Sequence, residues 1–300
     1  MDLRQLAALT AVSDAGSFSA AARRLHTVQS NVSTHVARLE NELGATLVDR
    51  ATGTLTEEGD VVALRARRIQ HELESLRADV DSLLHEVSGA VRLGCIGTVS
   101  RWLVPRLLHE MEHRHPRVQV VVVDATTTSL VPQLEADSLD LAIVNLPLAG
   151  SELAAEPLFD EDRIILAPAD HPLAAQASVP LAALSDHPLL LEPRGTAFRD
   201  ELDDAVARIG GHLNVRAEID GIRLLTSLAF EGFGPAMVPA TAAPPWMGSG
   251  CRRVAVEGLT PRSVGLASPR RGRLSAPARA VREVIRDLVM TIELPGVHLA

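Results

Sequence analysis

Residues 29–43 carry hydrogen-bonding side chains at the spacing of one helix face. The polar positions are Gln29, Ser30, Ser33, Thr34 and Arg38. Side chains of these types reach base edges and phosphates: a glutamine can pair bidentately with adenine, and we expect Ser33 and Arg38 to hold phosphates. The opposite face is apolar, with Val32, Val36, Leu39 and Leu43. A helix that reads the major groove of duplex DNA requires this combination, although an ordinary solvated helix has the same polarity.

Two short helices joined by a tight turn must position this polar face. The first helix has a small inner face that lets the second approach closely, formed by Ala21, Ala22 and Leu25. Ser19 is predicted to be its N-cap, because a serine hydroxyl can accept a hydrogen bond from a free amide of the first turn. Gly44 ends the second helix, as glycine commonly does. Residues 46–56 are predicted to form a small wing, from which Arg50 could contact DNA.

The overall charge argues mildly against a nucleic-acid partner. The 300-residue chain has a formal net charge of −9, and residues 1–60 contain five arginines against eight acidic residues. The basic surface that is usual in nucleic-acid-binding proteins is therefore lacking, and the arginines near the two helices must act locally. The absence of tyrosine disfavours single strands and RNA, whose bases stack on aromatic rings.

Composition also limits the class of protein. The hydrophobic fraction of 46% predicts a well-cored protein with room for two domains. No apolar run reaches the roughly 20 residues of a membrane span, and the first residues lack the apolar segment of a signal peptide. Cys95 and Cys251 cannot form a disulfide framework, so we expect inert, buried thiols and a cytoplasmic protein.

After the wing, a long helix carries apolar residues that alternate in steps of four and three. They are Ile69, Leu73, Leu76, Val80, Leu83 and Val87, preceded by Ala66 and Val62. This heptad pattern predicts the seam of a two-stranded coiled coil between two copies of the chain. The alternative is an amphipathic helix that packs on its own domain.

Beyond Ser88, strands alternate with helices in two successive series, which predicts an open α/β sheet. Residues 118–123 form a nearly continuous β-branched run, and we expect a strand buried on both faces of a parallel sheet. Ligands bind such sheets beyond the carboxyl ends of the strands. Polar groups lie at these positions before three predicted helices: Thr98, Ser100, Thr126, Thr127, Thr128, Gly195 and Thr196.

These amides and hydroxyls suit a carboxylate or another anion, and they are our candidates for a small-molecule site. Arg101 and Arg194 are weaker candidates for counter-ions. The alternative is that the hydroxyls only cap the helices.

One motif suggests an enzyme. His109, Glu110 and His113 fit the H-E-x-x-H pattern of zinc proteases. The buried stripe of this helix is predicted at Leu103, Leu107 and Met111, so both histidines should face solvent. We therefore expect neither a catalytic metal nor a cofactor, and a zinc metallohydrolase remains the rival hypothesis.

The N-terminal residues resemble the LysR-type transcriptional regulators. The resemblance is carried most specifically by Gly16-Ser17-Phe18, Ala21-Ala22, Leu25, Gln29-Ser30, Val32-Ser33, Leu39-Glu40, Glu42-Leu43-Gly44, Leu47, Arg50, Leu55-Thr56-Glu57 and Gly59. It continues more loosely to about Leu288. The resemblance implies an N-terminal all-α winged helix-turn-helix, a dimerising linker helix and a two-lobed α/β effector domain similar to periplasmic binding proteins. It also implies assembly into tetramers from two dimers.

The chain departs from the family in two places. Thr34 stands at a position that is often basic, and the wing is shorter than usual and lacks its basic residue. These departures predict a weak non-specific contribution from phosphate contacts. All 29 basic residues apart from histidine are arginines, so each can form the planar bidentate contacts of a guanidinium.

Together these features predict a cytoplasmic, non-enzymatic regulator that binds double-stranded DNA and a small effector, for which an anion is our candidate. The predicted domains are a winged helix-turn-helix at 1–59, a linker helix at 60–88 and an effector domain at 89–300. Lobe 1 would comprise about 89–161 with 265–300, and lobe 2 about 162–264. A ligand-binding protein without DNA binding is a third possibility, but it leaves residues 1–60 unexplained.

Overall fold

The computed structural model describes residues 1–84, 86–148, 150, 152–243, 248, 250–270 and 273–300. The helices in chain order are α1 (Leu3–Ala15), α2 (Phe18–Arg24), α3 (Gln29–Leu43), α4 (Glu57–Leu84), α5 (Gly97–Arg114), α6 (Thr127–Glu135), α7 (Ala197–Arg208), α8 (Ile222–Phe230) and α9 (Ala276–Met290). The strands are β1 (Gly89–Cys95), β2 (Val118–Asp124), β3 (Leu141–Leu146), β4 (Leu153–Glu161), β5 (Arg163–Pro168), β6 (Ser178–Pro180), β7 (Leu189–Leu191), β8 (Val215–Glu218), β9 (Ala236–Pro239), β10 (Cys251–Glu257), β11 (Arg262–Pro269) and β12 (Val297–Leu299).

Helices α1, α2 and α3 form the N-terminal unit, closed by a wing in which Val48 pairs with Leu55. Its core includes Leu9, Val36 and Leu39, all fully buried. Burying each such side chain contributes roughly 1.5–3 kcal/mol. The core therefore fixes which face of α3 points inward.

Three local predictions in this unit are wrong. Ser17, not Ser19, caps α2, because Ser17 has an extended backbone and its hydroxyl accepts from the amide of Ala20, three residues on. Leu25 and Leu43 are exposed by 38% and 43%, since each lies at the end of its helix, beyond the packed core. Gly44 does end α3, with the left-handed φ of 69° that glycine adopts without strain.

The long helix α4 serves two different surfaces. Ala63 and Ala66 are buried in the N-terminal core, and Val62 packs against it. The backward extension of the heptad seam to Val62 and Ala66 is therefore wrong, because that part of α4 packs on its own domain. Farther along, Leu76 and Leu83 are exposed by 58% and 85%.

The rest of the chain folds into two mixed sheets with helices against them, which confirms the predicted α/β class with an N-terminal helical domain. The strand order is β12-β4-β11-β3-β1-β2 in the first sheet and β6-β10-β5-β9-β7-β8 in the second. The chain passes from the first sheet to the second between β4 and β5 and returns between β10 and β11. These two crossings hold the lobes together at residues 161–163 and 257–262.

Strand β2 is not buried on both faces as expected. Within the described part of the chain it pairs only with β1 and forms an edge of the first sheet, so its residues alternate in burial and Val121 is 41% exposed. Among the described residues, no helix is both long and apolar enough to cross a membrane.

Candidate nucleic-acid interface and effector site

Helix α3 presents its polar face outward. Its inner side chains Val32, Val36 and Leu39 are at most 1% exposed. On the outer side, Ser33 is half-buried, and the exposed residues are Gln29, Ser30, Thr34 and Arg38. The structure therefore brings all five predicted α3 residues onto or beside one accessible surface.

These outer side chains differ in how firmly they are held. The hydroxyl of Ser19 donates to Oε1 of Gln29 at 3.1 Å. Ser19 therefore does not cap α2 but orients the side chain of Gln29. Thr34 donates back to the carbonyl of Ser30 at 2.8 Å, which ties its hydroxyl to its own helix. The guanidinium of Arg38 has no partner among the described residues. Arg38 is therefore the cation of this face that a phosphate can reach without breaking an ion pair.

Arg50 is placed differently, because it joins the wing to α3. Its Nη2 pairs with Oε2 of Glu40 at 2.7 Å and its Nη1 donates to Oγ of Ser33 at 3.1 Å. The guanidinium also lies 4.8 Å from the ring centre of Phe18. The other carboxylate oxygen of Glu40 accepts from the amide of Leu47 at 2.9 Å.

The Glu40 carboxylate is the centre of this arrangement. Burial acts to raise the pKa of Glu40, but the amide of Leu47 and the guanidinium of Arg50 outweigh burial, and the net pKa is lowered. Glu40 therefore remains ionised and holds the start of the wing against α3. The sequence identified Arg50 but missed this partner, since ten residues separate them and no local pattern joins them.

A second polar site lies where the two lobes of the effector domain meet. Glu161, at the end of β4, is fully buried and accepts from Nε of Arg262 at 2.7 Å and from the amide of Thr241 at 2.9 Å. Arg262 Nη2 in turn donates to Oγ1 of Thr98 at 2.8 Å. We call this group, with Arg163 and Phe198, the interlobe seam.

Arg163 and Phe198 form the side of the seam that belongs to lobe 2. The guanidinium of Arg163 lies 5.2 Å from the ring centre of Phe198, that of Arg262 lies 6.0 Å away, and Arg163 forms an ion pair with Glu201. Stacking of this kind is typical of arginine. Near the seam, burial raises the pKa of Glu192, which the charge of Arg262 only partly offsets.

The lobes also touch at one exposed ion pair, in which Arg223 of α8 lies 3.0 Å from Asp124 at the end of β2. Sequence reasoning missed Glu161, Arg163 and Arg262. The available signal was a charged residue at the start of an apolar strand, as in Arg163, the first residue of β5. That signal does not identify the partner, because the contacts of Arg262 with Glu161 and Thr98 join residues more than 100 positions apart.

The predicted effector residues lie in three separate places. Helix α5 begins at Gly97, earlier than expected, so Thr98 and Ser100 lie inside its first turn and are nearly buried. Of these two, the structure brings Thr98 into the seam. The Ser100 hydroxyl donates to the carbonyl of Gly97.

The threonines before and within α6 bond mainly to their own surroundings. Thr126 and Thr128 share a hydrogen bond of 2.9 Å between their hydroxyls, and Thr127 accepts from the amide of Asn145 at 3.0 Å. Thr126 occupies the N-cap position of α6, but its side chain makes no capping hydrogen bond, so the capping alternative does not describe these contacts. Of the three threonines, Thr126 and Thr128 are exposed.

Before α7, the amide of Gly195 donates to Asp200 at 2.9 Å and Thr196 caps the helix by accepting from the amide of Arg199. An anion at Gly195 would therefore have to displace a carboxylate of the protein. Arg194 is exposed and lies 3.6 Å from Asp203, and Arg101 is exposed on α5.

The H-E-x-x-H motif lies on the solvent side of α5, as predicted. His109 and His113 are exposed, with ring centres 4.5 Å apart, and Nδ1 of His113 contacts the carbonyl of His109. Among the described residues, no set of three histidine, cysteine or acidic side chains is arranged to hold a metal ion.

Both cysteines are buried. Cys95 is fully buried at the end of β1, and burial raises the pKa of its thiol far above the usual range. Burial also raises the pKa of Cys251 to about 11. Because the thiolate is the reactive form, both thiols have low reactivity near neutral pH.

Comparison with known proteins places these sites in a family. Residues 3–60 match the profile described as "Bacterial regulatory helix-turn-helix protein, lysR family", and residues 85–289 match the "LysR substrate binding domain". A probable hydrogen peroxide-inducible genes activator of Streptomyces viridosporus is 32% identical, over 97% of this chain and 96% of the relative. An uncharacterised regulator of Shigella flexneri, YfeR, is also 32% identical, over 95% of this chain and 93% of its own length.

Solved structures agree with the fold. A cysteine variant of full-length OxyR from Pseudomonas aeruginosa superimposes with a TM-score of 0.77 at 24% identity, covering 99% of this chain and 97% of that one. Full-length CbnR in complex with its target DNA gives a TM-score of 0.71 at 23% identity, covering 96% and 99%. The outward polar helix, the two-lobed effector domain and the matched profiles lead to one conclusion: this chain belongs to the LysR family and is a DNA-binding transcriptional regulator with an effector-binding domain.

Proposed function

We propose that α3 lies in the major groove of duplex DNA and that Gln29, Ser30, Thr34 and Arg38 make the contacts. The single observation that carries this proposal is the exposed polar face of a helix whose other face is buried. Gln29, oriented by Ser19, is the residue suited to read an adenine. Arg38 holds a phosphate, whereas Arg50 and Ser33 position the wing.

Fluorescence anisotropy with a duplex taken from the protein's own promoter region tests this proposal. Arg38→Ala should weaken binding to all sequences alike and reduce the slope of log affinity against log salt by about 1, because one phosphate contact is lost. Arg117→Ala is the matched control, since Arg117 is an exposed arginine of the effector domain. Equal affinity and equal salt slope for Arg38→Ala and the wild type would contradict the proposal.

The effector site, in our proposal, is the interlobe seam, and the effector carries a carboxylate or a similar anion. Nε of Arg163 and Oγ1 of Thr241 are buried without a hydrogen-bond partner among the described residues. Glu201, the partner of Arg163, is 56% exposed and can be replaced by an incoming anion. Thr98 already belongs to the seam and would supply a further polar group. The other predicted residues lie outside it, so an effector would reach them only by extending beyond the seam: Ser100, Thr126, Thr127, Thr128, Gly195 and Thr196.

A thermal-shift screen of small carboxylates tests the seam. Arg163→Gln should abolish the shift produced by any active carboxylate, while Arg208→Gln, on the exposed side of α7, should retain it. A shift that is equal in both variants would place the effector elsewhere.

We further propose that the chain forms dimers through α4. The exposed apolar residues Leu76, Val80 and Leu83 continue at heptad spacing beyond the N-terminal core, and a partner helix would remove them from water. Val80→Glu should shift the sedimentation coefficient towards that of a monomer, and Arg77→Glu, at an adjacent position, is the control. An unchanged coefficient for Val80→Glu would exclude this seam.

The same proposal divides the chain at 1–59, 60–88 and 89–300 and places the regulator in the cytoplasm, where its DNA is, without an enzymatic activity. Several relatives are described as peroxide-inducible activators. We do not extend a thiol-based peroxide response to this chain, since its two cysteines are buried and their pKa values are raised.

A further inference from the structure

A cavity of about 400 Å³ lies between α4 and lobe 1, away from the interlobe seam. One wall is the face of α4 that includes Glu72 and Ser75, and the opposite wall consists of residues before α9, among them Arg273 and Leu274. The volume falls in the range of roughly 300–1,000 Å³ that small-molecule sites occupy. The cavity therefore has room for a small metabolite at the joint between the linker helix and the effector domain.

Most charges in the cavity wall already have partners. Arg68 Nε lies 2.8 Å from Asp137, and Nε2 of His71 lies 3.2 Å from Asp140. These two contacts connect α4 to lobe 1, so the four side chains that form them already have partners. A ligand would not gain by breaking them.

Two lining charges have no partner among the described residues: the carboxylate of Glu72 and the guanidinium of Arg273. They have opposite sign and come from opposite walls. A molecule with one positive and one negative group can satisfy both, and a guanidinium binds a carboxylate bidentately. An ion of a single sign would leave one of the two charges unpaired.

The rest of the cavity wall contains apolar side chains beside the two serines Ser75 and Ser275. Ile69, Pro269 and Leu274 line the cavity, and Ile69 is 39% exposed. Covering such carbon surface stabilises a complex by about 25 cal/mol per Å². A ligand that combines both charges with an aliphatic group therefore fits the wall better than a small inorganic ion.

We propose that this cavity is a second ligand site and that it binds a zwitterionic α-amino acid with an aliphatic side chain. The carboxylate pairs with Arg273, the ammonium pairs with Glu72, and the side chain packs on Ile69, Pro269 and Leu274. Because the two walls belong to α4 and lobe 1, the bound amino acid strengthens the joint through which the effector domain and the DNA-binding domain are connected.

Isothermal titration calorimetry with the full-length protein tests the proposal. The probes are L-leucine, L-valine and L-methionine, with 4-methylpentanoate and isoamylamine as compounds that each lack one of the two charges of leucine. At least one amino acid should bind, and both singly charged compounds should bind at least about tenfold more weakly, since each lacks a charge-assisted pair.

Variants assign the binding to the cavity. Arg273→Gln and Glu72→Gln should each weaken the amino acid by about tenfold or more, whereas the control Arg117→Gln should bind as the wild type does. All three positions are exposed, so we expect the variants to fold, and circular dichroism checks this. The proposal is overturned if no amino acid of the panel binds at about 10 mM, a concentration that reveals even very weak sites, or if binding survives both cavity substitutions.

Discussion

The outer face of α3 and the interlobe seam present their polar groups in opposite ways. On α3, Gln29 and Arg38 are exposed, and Arg38 has no ion-pair partner among the described residues. In the seam, Glu161 and Arg262 are almost completely buried and paired with each other. DNA can therefore contact the α3 face without breaking an ion pair of Arg38, whereas a ligand at the seam must compete with contacts that the protein already makes.

This difference has a thermodynamic consequence. An exposed charged side chain contributes little to the free energy of unfolding, so substituting it changes binding without much change in stability. A buried pair depends on both partners, because either charge alone would be left in a poorly solvated interior. Substitutions in the two regions should accordingly separate effects on DNA binding from effects on folding.

The largest effect should come from Glu161→Ala. Loss of this carboxylate leaves Arg262 buried without its counter-ion and removes the acceptor of the Thr241 amide, at an expected cost of about 3–5 kcal/mol in the free energy of unfolding. Urea denaturation of the effector domain within the full-length protein measures this cost.

Glu156→Ala is the matched control for that experiment. Glu156 lies on the same strand and also pairs with an arginine, Arg286, but both side chains are substantially exposed. We expect a loss of about 0–1 kcal/mol. Similar losses for the two variants would contradict the contrast between buried and exposed pairs.

A smaller, pH-dependent effect is expected at the joint between α4 and lobe 1. The hydrogen bond to Asp140 raises the pKa of His71 against the opposing effect of burial, with further contributions from Asp137 and Glu74. Because the folded-state pKa is raised, the stabilisation is fully present below the unfolded pKa of about 6.5 and is lost as pH rises through the folded value.

The comparison of wild type with His71→Asn tests this. The variant should be less stable at pH 5.5, and the difference in urea midpoint should decrease towards pH 9 as the wild-type histidine loses its proton. A difference that is constant with pH would mean that His71 contributes only by packing. Glu74→Gln, whose carboxylate is more distant and exposed, should show a weaker dependence.

The smallest effect is expected from oxidation of the thiols. Because Cys95 and Cys251 are buried and their pKa values are raised, hydrogen peroxide should not change DNA binding, and thiol reagents should label the native protein far more slowly than the denatured protein. Mass spectrometry of labelled peptides measures both rates. Rapid labelling of native Cys251, the less buried of the two, would reopen a redox role.

The contrast between α3 and the seam also explains what the sequence could predict. The amphipathic pattern of residues 29–43 is local, so it gives the helix, its buried face and its exposed face together. The seam joins Thr98, Glu161 and Arg262, which are distant in sequence, and no periodicity reports such contacts. Strands β4 and β10 have no clear pattern in the sequence, because charged and apolar residues are mixed along them.

Local capping was also predicted incompletely. Ser17 and Ser19 have the same hydroxyl, and only the backbone conformation at residue 17 decides which of them caps α2. Similarly, the heptad spacing on α4 does not show that its first turns are used by the N-terminal core. In both cases the local sequence is compatible with two arrangements, and contacts with distant parts of the chain determine which of them forms.

The most direct test of the central claim measures binding of the wild type and Gln29→Ala to an operator and to its single base-pair variants. If α3 reads bases through Gln29, the substitution should remove discrimination at one A·T pair in each half-site, worth about 1–3 kcal/mol, and leave the other positions unchanged. Unchanged discrimination at every position, or a uniform loss at all of them, would contradict a base-reading role for this face.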